Sequence, residues 1–230
     1  MQRKVVFMSL IIAISGYSGG KQGPNRVYSH LQNFSTGEGP FTIFPIETLP
    51  NSIQKNVDLV TEIALENFKN YECIYLIGYS MGGAVAVQAA YDLNQKIEGL
   101  VKGIIFISTQ TDGLNVLKNL DLPVLFYHGK EDRDIRFWEA EYVYDSYTGI
   151  KKMIIVEGLD HSLATENSYS KSKEFSLKIA SDIYSEISEF FAKPQEKNEV
   201  SAKAIHKIIP LNPNPLFSWD RVTSIFRSFN

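Results

Sequence analysis

Only one cysteine, Cys73, occurs in 230 residues, so no intrachain disulfide can staple the fold. No Cys/His cluster has metal-ligand spacing, and neither a metal nor any other cofactor is expected. Positive charge is not in excess: 23 Lys and Arg face 26 Asp and Glu, a net charge of −3. The charges are also interspersed, so no nucleic-acid partner is expected. No run reaches the ~18 consecutive apolar residues of a spanning helix. A phosphate loop is missing as well, because Gly19-Gly20-Lys21 is flanked by Ser15 where glycine belongs and Gln22 where Ser or Thr belongs.

What is present is core-forming material, 44% hydrophobic residues, enough for one domain. We place that domain at 1–192, followed by a polar linker from Lys193 and a C-terminal appendage, 193–230. Arg3-Lys4 before the apolar run Val5–Ile14 has the look of a short secretory signal. Cutting near Ala13-Ser15 would remove the core strand that presents the Gly16–Gly20 loop. The segment is therefore read as the first strand and the protein as cytoplasmic, with secretion the less favoured alternative.

Gly78-Tyr79-Ser80-Met81-Gly82 lies between the strand-like Cys73–Ile77 and the small, helix-compatible run from Gly83 to about Asn94. A serine at such a corner is held in a strained turn, with glycines leaving room for neighbouring backbone and a helix N-terminus offering N–H groups to negative charge. Gly16-Tyr17-Ser18-Gly19-Gly20 has the same pattern, but Lys21-Gln22-Gly23-Pro24-Asn25 follows it and a helix start does not. Context selects Ser80 as the nucleophile.

A serine hydroxyl needs a base, and His161 follows the strand candidate Lys152–Val156 in the loop Glu157–Ser162. Of the other histidines, His30 and His206 are expected to face solvent. Asp132 follows the strand-like Pro123–Tyr127 and is the choice to orient the imidazole, with Asp134 the competing acid. Ser80, Asp132 and His161 each follow the C-terminal end of a predicted strand, the edge at which open parallel sheets build their sites.

With these three residues in the order Ser, acid, His, the chain resembles the α/β-hydrolase-fold serine hydrolases, the esterase, thioesterase and lipase-like superfamily, over roughly residues 4–192. The resemblance implies an oxyanion hole from the backbone N–H groups of Tyr17 and Met81. It also places Gly16, Ser18 and Tyr79 beside the substrate and gives His128, in His128-Gly129, a structural role. The family commonly opens its first loop with His-Gly, where this chain has Ser15-Gly16.

The remaining elements alternate as a parallel sheet requires, giving an α/β, doubly wound, mostly parallel sheet flanked by helices. A second strand is predicted at Phe41–Pro45, a helix at Ser52–Asn70 capped by Asn51 or Ser52, and a strand at Val101–Ser108. The aromatic helix Phe137–Tyr147 is read as core packing, and Lys173–Phe191 as a helix closing one face. Only Thr109–Asp121 separates two strands where many relatives insert a helical lid, so no lid or a minimal one is expected. An open site favours small to medium esters or thioesters. In the appendage, residues 208–230 carry aromatic and basic residues suited to a membrane surface or a protein partner. The alternatives are a lipid-directed (lyso)phospholipase or lipase recruited by that tail, and a non-catalytic binding protein of the same fold.

Overall fold

The computed structural model describes residues 9–17, 20–35, 41–50, 52–110, 113–165, 172–192 and 206–209. Strands β1 (Ser9–Ile14), β2 (Phe41–Ile46), β3 (Ile74–Tyr79), β4 (Val101–Ile107), β5 (Val124–Gly129), β6 (Lys151–Val156) and β7 (His206–Ile209) form one sheet. Helices α1 (Val27–Ser35), α2 (Ile53–Asn67), α3 (Gly82–Lys96), α4 (Leu114–Leu117), α5 (Phe137–Ser146) and α6 (Lys173–Ala192) alternate with them. All pairings are parallel, in the order β2-β1-β3-β4-β5-β6-β7. The chain is thus a doubly wound α/β fold, and its winding direction reverses between β1 and β3.

The central strands read as unbroken apolar runs because helices cover both faces of the sheet. On one face Ile12, Leu76, Phe106, Phe126 and Met153 pack with residues of α2, α3 and α5. On the other, Ile11, Ile77, Ile105, Leu125 and Ile154 pack against α1 and α6. Odd and even positions of one strand serve different cores, as the two-residue period of side chains demands. Ser52 caps α2 by accepting from the Lys55 N–H at 3.3 Å. Pro45 sits inside β2 rather than ending it, tolerated because β2 is an edge strand.

Two expectations change in the folded chain. His30 is buried rather than solvent-facing, and its Nε2 meets Ser176 Oγ at 3.0 Å, because α1 packs directly on α6. The aromatics of α5 divide. Tyr144 and Tyr147 are in the core, whereas Trp138 and Tyr142 are 61% and 56% exposed. One helix stripe faces a sheet, and these two rings fall outside it.

Between β4 and β5 the described residues contain only the four-residue helix α4. Ser18 and residues 210–230 of the appendage lie outside the described residues, whereas His206–Ile209 extends the sheet beside β6. Among the described residues no helix is long and apolar enough to cross a membrane.

Candidate active site

β3 ends at Tyr79, and the chain turns at once into α3. Ser80 makes that turn with φ +52°, a left-handed conformation that costs a non-glycine residue of order 1–3 kcal/mol. Its N–H donates to Ile107 O at 3.1 Å, and its carbonyl accepts from Gly83 N at 3.0 Å. Two glycines make the corner sterically possible. A methyl group on Gly78 would stand 2.5 Å from Gly82 O, and one on Gly82 would stand 2.5 Å from both Ile14 O and Ser15 O. The first turn of α3 therefore lies directly on the end of β1. Thr109 braces the corner by donating to Gly78 O at 3.0 Å. Met81 is the N-cap of α3, so its N–H belongs to the helix end whose N–H groups have no intrahelical acceptor.

The loop after β1 runs beside this corner, at the point where the winding reverses. Ser15 Oγ closes it onto Gly20 O at 2.7 Å, Thr48 Oγ1 donates to Gly16 O at 2.5 Å, and Tyr28 holds Ile14 O at 3.0 Å. Gly16 backs onto the corner so closely that an added methyl would be 3.1 Å from Ser80 Cβ and 3.2 Å from the Tyr79 ring. The Tyr17 side chain is exposed. None of the bracing by Thr48 or Tyr28 has a local sequence signal, since both come from elsewhere in the chain.

The loops after β5 and β6 complete the site. His161 Nε2 lies 3.1 Å from Ser80 Oγ, and its Nδ1 lies 2.9 Å from Asp132 Oδ2. The other Asp132 oxygen accepts the Asp134 and Ile135 N–H groups at 3.0 and 2.8 Å. The imidazole thus meets Asp132, while Asp134 is exposed and contributes its backbone N–H. The Asp132 side chain is fully sealed and that of His161 is 18% exposed, so the acid is shielded from water while the base can be reached. With Nδ1–H donated to the carboxylate, Nε2 is left to take the hydroxyl proton, the arrangement that makes a serine nucleophilic toward a carbonyl.

Burial pushes the Asp132 carboxyl up, but hydrogen bonds from His161 and the Ile135 N–H, with the imidazoles nearby, outweigh it and leave it below its ordinary value. His128 donates from Nε2 to Ile135 O at 3.0 Å and so folds the acid-bearing loop back on β5. Its burial lowers its proton affinity, only partly offset by Asp132. Beside His161 opens a cavity of about 650 Å³, bordered by Glu131, Arg133, Asp134, Asp160 and Thr165. Among the described residues no group of three or more His, Cys, Asp or Glu side chains could hold a metal ion.

Comparison with known proteins agrees with this architecture. Residues 46–176 match the family model described as Phospholipase/Carboxylesterase. The acyl-protein thioesterase 1 homolog 2 of Dictyostelium discoideum is 30% identical over 139 residues, 57% of this chain and 59% of that protein, so the match spans less than two thirds of the relative. Est1E from Butyrivibrio proteoclasticus superposes with TM-score 0.64 at 15% identity, covering 83% of this chain and 91% of its own. Dienelactone hydrolase from Anabaena variabilis gives 0.59 at 14% identity, over 81% of this chain and 86% of its own. With more than half its length matched by the family model, the chain belongs to the phospholipase/carboxylesterase family, here on the α/β-hydrolase fold.

Proposed function

We propose that the protein hydrolyses small to medium carboxylic esters or thioesters through an acyl-enzyme on Ser80. The observation that carries this reading is the unbroken hydrogen-bonded chain from Asp132 through His161 to Ser80 Oγ. His161 Nε2 takes the hydroxyl proton as Ser80 attacks the acyl carbonyl carbon, and Asp132 holds the imidazole and balances its charge. The Met81 and Tyr17 N–H groups receive the oxyanion, each contributing on the order of 3 kcal/mol. As the tetrahedral intermediate collapses, the leaving oxygen or sulfur takes the proton from His161. Water then gives a proton to His161 as it attacks the acyl carbon, and His161 passes that proton to Ser80 Oγ as the carboxylic acid departs.

A leaving group protonated by His161 departs on the His161 side. Glu131, Asp134 and Asp160 outnumber Arg133 around the cavity there. Asp160 is held by neutral donors, Ser162 Oγ at 2.8 Å and Ala164 N at 2.9 Å, which fix its charge without cancelling it. A neutral or cationic alcohol or thiol is therefore favoured over a polyanionic one. The relative named as an acyl-protein thioesterase supports including thioesters among the substrates.

The test is hydrolysis of a short-chain aryl ester and labelling by a fluorophosphonate. Ser80→Ala abolishes both, and Ser18→Ala leaves much of each. The reverse result refutes the choice of serine, and failure of the unaltered protein to react with either reagent supports a non-catalytic role.

A further inference from the structure

Resting on that reading of Ser80, we propose that Tyr79 is a positioning residue that clamps the base-bearing loop and the loop after β1 on either side of the nucleophile. Tyr79 is the last residue of β3, and its side chain packs against the core under α1 and α6. From that footing its hydroxyl donates to the backbone carbonyl of His161 at 3.1 Å. Its ring lies 5.1 Å from the His161 imidazole, centroid to centroid, at 32°. The same ring abuts Gly16, where an added methyl would sit 3.2 Å from two ring atoms. One side chain therefore touches the residue carrying the base and the loop proposed to hold the oxyanion. It is also covalently joined to the nucleophile.

The loop that carries His161 is closed on itself, through Asp160 N to Ala164 O at 2.8 Å and Leu163 N to Asp160 O at 3.1 Å. Asn25 anchors it further along, at Leu163 O, 3.1 Å away. The Tyr79 hydroxyl grips the backbone of residue 161 itself, and the ring limits swing of the imidazole. Burial, with the charges of Asp132, Asp134 and Asp160, pushes the phenol's ionisation far upward, so the group remains a donor across the working range. With its hydroxyl committed to His161 O and its ring set between Gly16 and the imidazole, Tyr79 acts on His161 rather than on substrate.

The test uses the full chain with Tyr79→Phe, Tyr79→Leu and Ser80→Ala. It measures kcat and KM on a short-chain aryl ester, the rate of inactivation by a small fluorophosphonate, and the proton resonance of His161 Nδ1–H. Loss of one neutral hydrogen bond in Tyr79→Phe lowers kcat about 5-fold. Loss of ring and hydroxyl in Tyr79→Leu lowers it about 100-fold through misplacement of the base. KM stays within about twofold in both, and the inactivation rate falls in parallel with kcat. The Nδ1–H resonance broadens in Tyr79→Leu. A rise in KM with kcat preserved assigns Tyr79 to substrate binding and overturns the proposal, as do unchanged kinetics in both variants. Should Tyr79→Leu fail to fold, the near-isosteric Tyr79→Phe decides by the same criteria. Ser80→Ala separates the two claims. If it retains activity, the reading of Ser80 fails. If it is inert while both Tyr79 variants match the unaltered protein, only the clamp fails.

Discussion

The nucleophile corner and the base-bearing loop meet through the Ser80–His161 hydrogen bond and the hold of Tyr79 on His161, yet they are built in different ways. Around Ser80 the chain is held by steric necessity: backbone lies on backbone at Gly78 and Gly82, and the serine is twisted to φ +52°. Around His161 the geometry depends on hydrogen bonds and charge, through Asp132, Tyr79 and the turn closed by Asp160. A sterically locked corner keeps its geometry under small perturbations and fails abruptly. A hydrogen-bonded loop loses function in proportion to the contact removed, and its outer surface is free to tune specificity.

That contrast breaks most sharply at Gly82. A methyl group there meets two carbonyl oxygens of the β1 end, so Gly82→Ala destabilises by about 3 kcal/mol or more, read as a lower urea midpoint or loss of folded protein. Asp132→Asn, on the other side, leaves the fold near its original stability at pH 7 and lowers kcat about 10³–10⁴-fold, because the imidazole loses its orienting acceptor. Asp134→Lys probes the outer surface of the same loop. It retains most activity but shifts the preference between cationic and anionic leaving groups about 5-fold at low ionic strength, fading in high salt. A collapse of kcat in Asp134→Lys like that of Asp132→Asn would instead make Asp134 the acid. The smallest effect concerns His128, whose proton affinity is lowered on folding. The unfolded chain then binds the proton more readily, so this contribution to stability is present above about pH 6.5 and declines as the pH falls toward the folded value. Melting curves between pH 7 and pH 5 should be flatter for His128→Asn than for the unaltered chain, by a few degrees in Tm.

The same contrast explains what could be read before folding. The strand, Ser80 and the helix that receives it are neighbours in the chain. Their glycines and small residues report that local geometry directly, and β1 through β6 all fall where apolar runs predict them. Aromatic content on α5 was a poorer guide, because burial depends on which stripe of the helix meets the sheet, and Trp138 and Tyr142 lie outside it. His30 misled for a related reason: polar neighbours in sequence do not reveal that α6 packs over α1. Thr48, Tyr28 and the grip of Tyr79 on His161 O carried no signal at all, being contacts between segments whose proximity no short motif encodes.

By itself, the order of residues determined a two-faced parallel sheet and a strained serine at the end of one strand, since side-chain period and turn sterics act over a few neighbouring residues. The chain order groups Ser80, Asp132 and His161, but only tertiary structure sets their contacts across 29 and 81 positions of chain and leaves Asp134 facing solvent instead of the imidazole. Such a choice turns on distances of about one hydrogen bond, which only the packed loops above the sheet can set.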